Sequence, residues 1–182
     1  MADILGSNGP DTLNGFIYSD RIWGYDGNDI LNGDNSSDIL YGGSNNDLLN
    51  GDNGDDQLFG GNDNDWLIGG NGKDTLNGGS GNDIFDFNFL SEMGVNNASR
   101  DVITDFNPAS DKIDLFGLDA NITTPTDDAF NMIIGPGVAF NQAGQLKFEN
   151  GLLYGNVNND NEADFAIELT GIAYLTLDNL VA

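Results

Sequence analysis

The sequence contains no cysteine and no histidine. Without thiols it has neither a disulfide nor a thiolate metal site. Without imidazole it lacks Ser-His-Asp triads, HExxH zinc sites and the usual acid–base side chain of neutral pH. Positive charge is also scarce. Arg21, Lys73, Arg100, Lys112 and Lys147 stand against 30 Asp and Glu, giving a formal charge of −25. Five scattered cations make no phosphate track, which argues against nucleic acid as a partner. No apolar run reaches membrane-spanning length, no signal-peptide pattern opens the chain, and no GxSxG nucleophile elbow occurs. A compact body this acidic repels itself unless counter-ions bind.

Glycine and apolar residues are plentiful. Gly makes up 26 of 182 residues, and hydrophobic residues 38%, enough for a core in one domain or two small ones. From Gly6 one register holds without a gap: GSNGPDTLN, GFIYSDRIW, GYDGNDILN, GDNSSDILY, GGSNNDLLN, GDNGDDQLF, GGNDNDWLI, GGNGKDTLN, GGSGNDIFD. The first place is Gly in all nine units. The sixth is always Asp: Asp11, Asp20, Asp29, Asp38, Asp47, Asp56, Asp65, Asp74 and Asp83. The eighth is always large and apolar, from Leu13 and Ile22 through to Phe85. The first six places are turn chemistry, because Gly and Asn tolerate positive φ. The last three are too short for a helical turn and read as a short strand with one inward residue. Turn then strand, repeated, predicts a coil of parallel strands about 4.8 Å apart. An Asp that only caps a turn needs no fixed register.

The pattern GGxGxDxUx resembles the calcium-binding nonapeptide of RTX proteins. The resemblance implies an all-β, right-handed parallel β-roll over residues 1–86, with two nonapeptides per coil. It also implies calcium between one turn and the turn eighteen residues on. The ligands it implies are the nine sixth-place Asp carboxylates, with backbone oxygens of the turns containing Gly6, Gly9, Gly24, Gly27, Gly42, Gly51, Gly54, Gly60, Gly69, Gly72, Gly78 and Gly81. Calcium accepts such carbonyls readily. The pairs run from Asp11 with Asp29 to Asp65 with Asp83, for up to seven ions. Seven divalent ions would bring the formal charge from −25 to −11. Unit two carries Phe16, Ile17 and Tyr18 in place of small turn residues, which makes Asp20/Asp38 the weakest expected site. Asp56/Asp74 and Asp65/Asp83 are the strongest expected.

After Asp86 the nonapeptide reading stops. Strands are expected in 130–134, in 145–157 with a turn at Asn150–Gly151, and in 163–171, forming a β-rich cap over 87–182. Three stretches, 101–106, 111–115 and 163–171, resemble the C-terminal domain of serralysin-type secreted metalloproteases. The ending Leu177–Ala182 resembles the acidic-then-apolar tail shown to a type I secretion apparatus. A serralysin carries its zinc protease domain before the roll, and no counterpart stands here. The chain therefore reads as the C-terminal module, cut from a larger protein or standing alone. The loop with Asn156, Asn158, Asp160, Glu162 and Asp164 loosely resembles an EF-hand loop, though Gly is missing at its sixth place; a polar turn is the plainer reading.

Two apolar stripes should face outward. One is Thr12, Ile30, Leu48, Trp66, Ile84; the other is Trp23, Tyr41, Phe59, Asn77. The second half is expected to fold back over the first stripe. The second, exposed and aromatic, suits an interface with a missing catalytic domain, a dimer seam, or a sugar platform. The functional expectation is a non-enzymatic, secreted bacterial module that folds when it meets extracellular calcium. The alternative is a polysaccharide-binding or adhesion module, like the related repeats of alginate C-5 epimerases. Ice binding would want a regular outward Thr ladder, which is lacking.

Overall fold

A computed structural model describes residues 1–124, 128–130 and 132–181. Asn131, inside the strand expected at 130–134, and Ala182, the last residue of the tail, lie outside them. The chain is all-β, with helix limited to two short 3-10 turns among the described residues. No helix among those residues is long and apolar enough to cross a membrane.

The repeats give ten strands: β1 (Asp3–Leu5), β2 (Thr12–Asn14), β3 (Arg21–Asp26), β4 (Ile30–Asn32), β5 (Ile39–Ser44), β6 (Leu48–Asn50), β7 (Gln57–Asn62), β8 (Trp66–Ile68), β9 (Thr75–Ser80) and β10 (Ile84–Asp86). Odd strands pair with odd and even with even, all parallel, each residue facing the one eighteen later. Two residues of opposite pleat flank each eighth-place side chain, so that side chain alone points inward. The result is an apolar column: Ile22, Leu31, Leu40, Leu49, Leu58, Leu67, Leu76 and Phe85 are fully buried.

The turns need positive φ at two places. At the fourth, Asn45 (φ 76°) and Asp63 (φ 75°) do what glycine does in neighbouring units. The second place also requires it, and there Tyr25 takes φ 79° and Asp52 φ 67°. That second requirement was not foreseen from the sequence.

The sheets do not stop at Asp86. β11 (Val102–Ile103) pairs with β9, and β12 (Lys112–Asp114) with β10. Then come β13 (Met132–Ile134), β14 (Gln145–Glu149), β15 (Leu152–Asn156), β16 (Phe165–Leu169) and β17 (Leu180–Val181). β14 and β15 form a hairpin through Asn150 (φ 54°) and Gly151 (φ 79°). β16 pairs with β11, and β17 with β12, completing a ten-stranded and a seven-stranded sheet. The expected boundary at 86 thus falls inside two continuous sheets and one continuous core, in which Phe85 packs 6.0 Å from Phe106.

One expectation is corrected. The second half does not fold back over the Ile30–Trp66 stripe: Ile30 stays 40% and Trp66 42% exposed. Open sheet edges at the end of the roll offer backbone partners that a sheet face does not, so the second half adds strands there instead.

Candidate metal centre

Every sixth-place Asp sits in the turn before a strand, and the eighteen-residue coil stacks each on the next. The amide N–H of Asp11 donates to Oδ1 of Asp29 at 2.8 Å, that of Asp38 to Asp56 at 2.7 Å, and that of Asp65 to Asp83 at 3.0 Å. The remaining pairs follow the same rule. The structure therefore brings together all seven Asp pairs that the resemblance implies, as two separate ladders.

One oxygen of each carboxylate is used in this way. The other, Oδ2, is buried without a hydrogen-bond partner in Asp29, Asp38, Asp47, Asp56, Asp65, Asp74 and Asp83. An unpaired buried polar group costs about 1–3 kcal/mol, and more when charged. Burial is also the main cause of raised pKa values in the metal-free chain. It pushes Asp38 and Asp83 up to about 6, Asp47 to about 7, and Asp56, Asp65 and Asp74 to about 8. Hydrogen bonds from backbone amides oppose the rise, and neighbouring carboxylates add to it.

The first-place glycines keep the space beside these oxygens open. A Cβ on Gly42 would lie 2.4 Å from Asp47 Oδ2 and 2.6 Å from the Gly60 carbonyl oxygen. Gly24, Gly33, Gly51 and Gly60 repeat the arrangement, each facing its own unit's Asp Oδ2 and a carbonyl one coil on. Gly69 and Gly78 face Asp74 Oδ2 and Asp83 Oδ2, both at 2.5 Å. Gly27, Gly54, Gly72 and Gly81 act otherwise: they hold φ between 131° and 152° against the backbone of the coil before. Gly9 has nothing within 4 Å.

These donors suit a hard divalent cation. Calcium takes six to eight oxygens and mixes carboxylates with carbonyls. Among the described residues no three acidic side chains converge as a metal cluster. An ion between coils would therefore take most of its oxygens from backbone. The first coil differs. Asp20 Oδ2 accepts the Phe16 amide at 2.9 Å, and Asp11 Oδ2 accepts both the amide (2.6 Å) and the hydroxyl (2.9 Å) of Ser7. Those two oxygens are already engaged.

The sequence reading missed residues beyond the ninth unit. Counting on in nines places Glu92 sixth in 87–95 and Asp101 sixth in 96–104, with the buried Ile103 eighth. Phe87 and Asn96 replace the first-place Gly, which hid the phase. Residues 87–95 make a 3-10 turn (Leu90–Glu92) and no strand, so Asp101 stacks on Asp74 at a separation of 27, accepting its amide at 2.7 Å. One residue of slip later, Asp111 accepts the Asp83 amide at 3.3 Å.

The 156–164 loop closes on itself. The Asn156 side-chain Nδ2 donates to Glu162 O at 2.6 Å, Asp160 O at 3.0 Å and Asp160 Oδ1 at 3.1 Å, while Asp164 accepts from the Val157 N–H and Asn158 Nδ2. On the roll's flank Trp23, Tyr41 and Phe59 stack with centroids 5.6 and 5.1 Å apart, each half-buried.

Coils of eighteen residues, a buried apolar column and a carboxylate in each turn define a nonapeptide-repeat parallel β-roll of the RTX type. The chain belongs to the family described as peptidase M10 serralysin C terminal, which it matches over residues 22–181. Among solved structures it is similar to two solution structures from the Azotobacter vinelandii mannuronan C5-epimerase. The AlgE6R2 subunit is 28% identical, covering 98% of this chain and 91% of that one, with a TM-score of 0.44. The AlgE6R3 subunit is 24% identical, covering 97% and 80%, with a TM-score of 0.41. The extracellular lipase LipA from Serratia marcescens is 15% identical with a TM-score of 0.38; the match spans 99% of this chain but 40% of the lipase. No curated protein matches the chain in sequence.

Proposed function

We propose that this chain is a calcium-dependent folding module of a secreted protein, exported unfolded by a type I apparatus and folded outside the cell. The observation that carries this reading is the ladder of buried Oδ2 atoms without partners. Without metal, each coil must bury a carboxylate against its neighbours or hold it protonated. When bound, calcium supplies the missing positive charge, and its binding free energy becomes folding free energy. Extracellular calcium modules bind at about 10⁻⁴–10⁻³ M, which separates the outside of a cell from its interior.

The chain's own residues do the rest. The Asp amides align consecutive carboxylates through Oδ1, the first-place glycines keep a Cβ from crowding Oδ2, and the apolar column holds the coils in register. Leu177–Asn179 form a 3-10 turn and Leu180 pairs with Ile113, so the folded chain ties its tail into the seven-stranded sheet. Presentation of that tail to a secretion apparatus therefore precedes folding. In this reading the module carries no catalysis of its own, and the catalytic partner is a domain joined to it.

Circular dichroism with and without calcium tests the proposal. A β signal that appears with calcium is expected, and a fold indifferent to calcium would falsify it. The half-buried Trp23–Tyr41–Phe59 ladder favours a second reading, a polysaccharide platform, since the outer edges of the stacked rings give a sugar chain an apolar strip. A glycan array that gives a signal lost in Tyr41→Ser would establish it.

A further inference from the structure

We propose that the loop between β15 and β16 is a cation site of a different kind, a calcium loop in which the Asn156 side chain turns to offer its oxygen to the ion. It shares no ligand with the carboxylate ladders and stands or falls independently of them.

Donors and acceptors do not balance in this loop. Asn156 is fully buried, and its Nδ2 faces three oxygens: Glu162 O at 2.6 Å, Asp160 O at 3.0 Å and Asp160 Oδ1 at 3.1 Å. An amide nitrogen has two hydrogens for those three acceptors. The Oδ1 of the same side chain is buried with no partner. Rotation about Cβ–Cγ exchanges the two atoms with almost no change of shape. Oδ1 would then stand roughly 3 Å from the other oxygens, the separation of neighbouring ligands around one calcium ion. Each orientation strands an acceptor when protein donors alone are available, and a cation satisfies all of them together.

The spacing identifies the ion. Counted from Asn156, side-chain oxygens stand at places one, three, five and nine: Asn156, Asn158, Asp160 and Asp164. Place seven is Glu162, which turns its backbone carbonyl to the centre. This is the ligand order of a calcium loop, including the main-chain oxygen at seven. The Glu162 amide braces Asp160 Oδ1 at 2.8 Å, and the Asp160 amide braces Asn158 Oδ1 at 3.0 Å. The usual glycine at six is absent, yet Asn159 at four takes φ 63° and turns the chain. Place twelve is Ile167, fully buried in β16, so the bidentate glutamate of a tight loop is missing. Two carboxylates without that glutamate belong to the weak, extracellular range of affinity. The loop joins two antiparallel strands, and β16 pairs with β11 on its other side. An ion here fastens the β15–β16 hairpin and leaves the ladders untouched.

Native mass spectrometry of the full chain tests this, at a calcium concentration that just saturates the parent. Asp160→Asn keeps the acceptor for the Glu162 amide and removes a charge, and should carry one ion fewer. Asn158→Asp adds a carboxylate at place three, and should hold one ion at roughly tenfold lower free calcium than the parent. An unchanged count in Asp160→Asn, or no gain in Asn158→Asp, overturns the proposal and leaves the roll's calcium reading standing. A parent chain that binds a single ion, lost in Asp160→Asn, supports the loop and overturns the ladder reading instead. A parent chain that binds no calcium overturns both. Should Asp160→Asn not fold, the gain or its absence in Asn158→Asp decides.

Discussion

The amide N–H of Asp47 donates to Oδ1 of Asp65, one coil later, at 2.9 Å, and leaves Asp65 Oδ2 buried and unpartnered. One oxygen builds the fold while the other opposes it. The two roles can be separated by mutation.

Asp65→Asn keeps the acceptor for the Asp47 amide and removes the charge. It should stabilise the metal-free chain and destabilise the calcium-bound chain. Asp65→Ala also strands the Asp47 amide and should cost about 1–3 kcal/mol more than Asp65→Asn in either state. Thermal melts with calcium and with chelator distinguish them. If both variants shift both states alike, the division of labour is wrong.

The metal-free chain should fold better as pH falls. The folded-state pKa of Asp56, Asp65 and Asp74 is raised to about 8 from an ordinary 3.8, and that of Asp38 and Asp83 to about 6. A raised folded pKa contributes stability that is complete below the unfolded value and lost as pH climbs through the folded one. Without calcium, β content should therefore be lost between about pH 6 and 8 and recovered on acidification toward 4. Calcium should bind more weakly over the same descent, because protons compete for the same oxygens. Dichroism at fixed chelator across that range checks the first half, and calcium titrations at pH 6 and 8 the second.

Two repeat glycines should respond oppositely to alanine. Gly42 has no positive φ to protect, yet its Cβ would lie 2.4 Å from Asp47 Oδ2. Gly42→Ala should cost about 1–3 kcal/mol, which weakens calcium binding roughly fivefold to 150-fold. Gly9→Ala meets nothing within 4 Å and should leave the calcium midpoint in place. Equal effects at the two sites would show that backbone freedom, and not the open space beside the carboxylate, makes these positions glycine.

Tyr41→Ser removes both ring contacts of the flank ladder. Each aromatic pair contributes about 0.5–1.5 kcal/mol beyond burial, so the calcium-bound melt should drop modestly while calcium-induced folding persists. Complete loss of folding would make the ladder part of the core.

Much of this was legible because each coil repeats one local rule. The eighth-place column and the turn-forming first six places follow from chemistry within a single nonapeptide, and the pairing at eighteen residues from the family resemblance that the repeat carries. So does the Asn150–Gly151 hairpin, from its own two residues. What escaped was non-local. Nothing near Val102 says that it will pair with Glu168, or near Ile113 that it will pair with Leu180. Asp101 went unread because a turn inserted at 87–95 changed its spacing from 18 to 27. The positive φ of Tyr25 went unread because a bulky side chain is a poor sign of a left-handed turn.

Each inner Asp of a ladder belongs to two pairs: Asp47 reaches back to Asp29 and forward to Asp65. A ligand shared by neighbouring sites makes occupancy contagious, as in any linear array with nearest-neighbour coupling. On the proposed calcium reading, the number of rungs sets how sharply the chain responds to calcium, and the chemistry of a single site sets only where. A break at Asp47 or Asp56 would divide a ladder into two short arrays and blunt the threshold, whereas a break at Asp11 would merely shorten one.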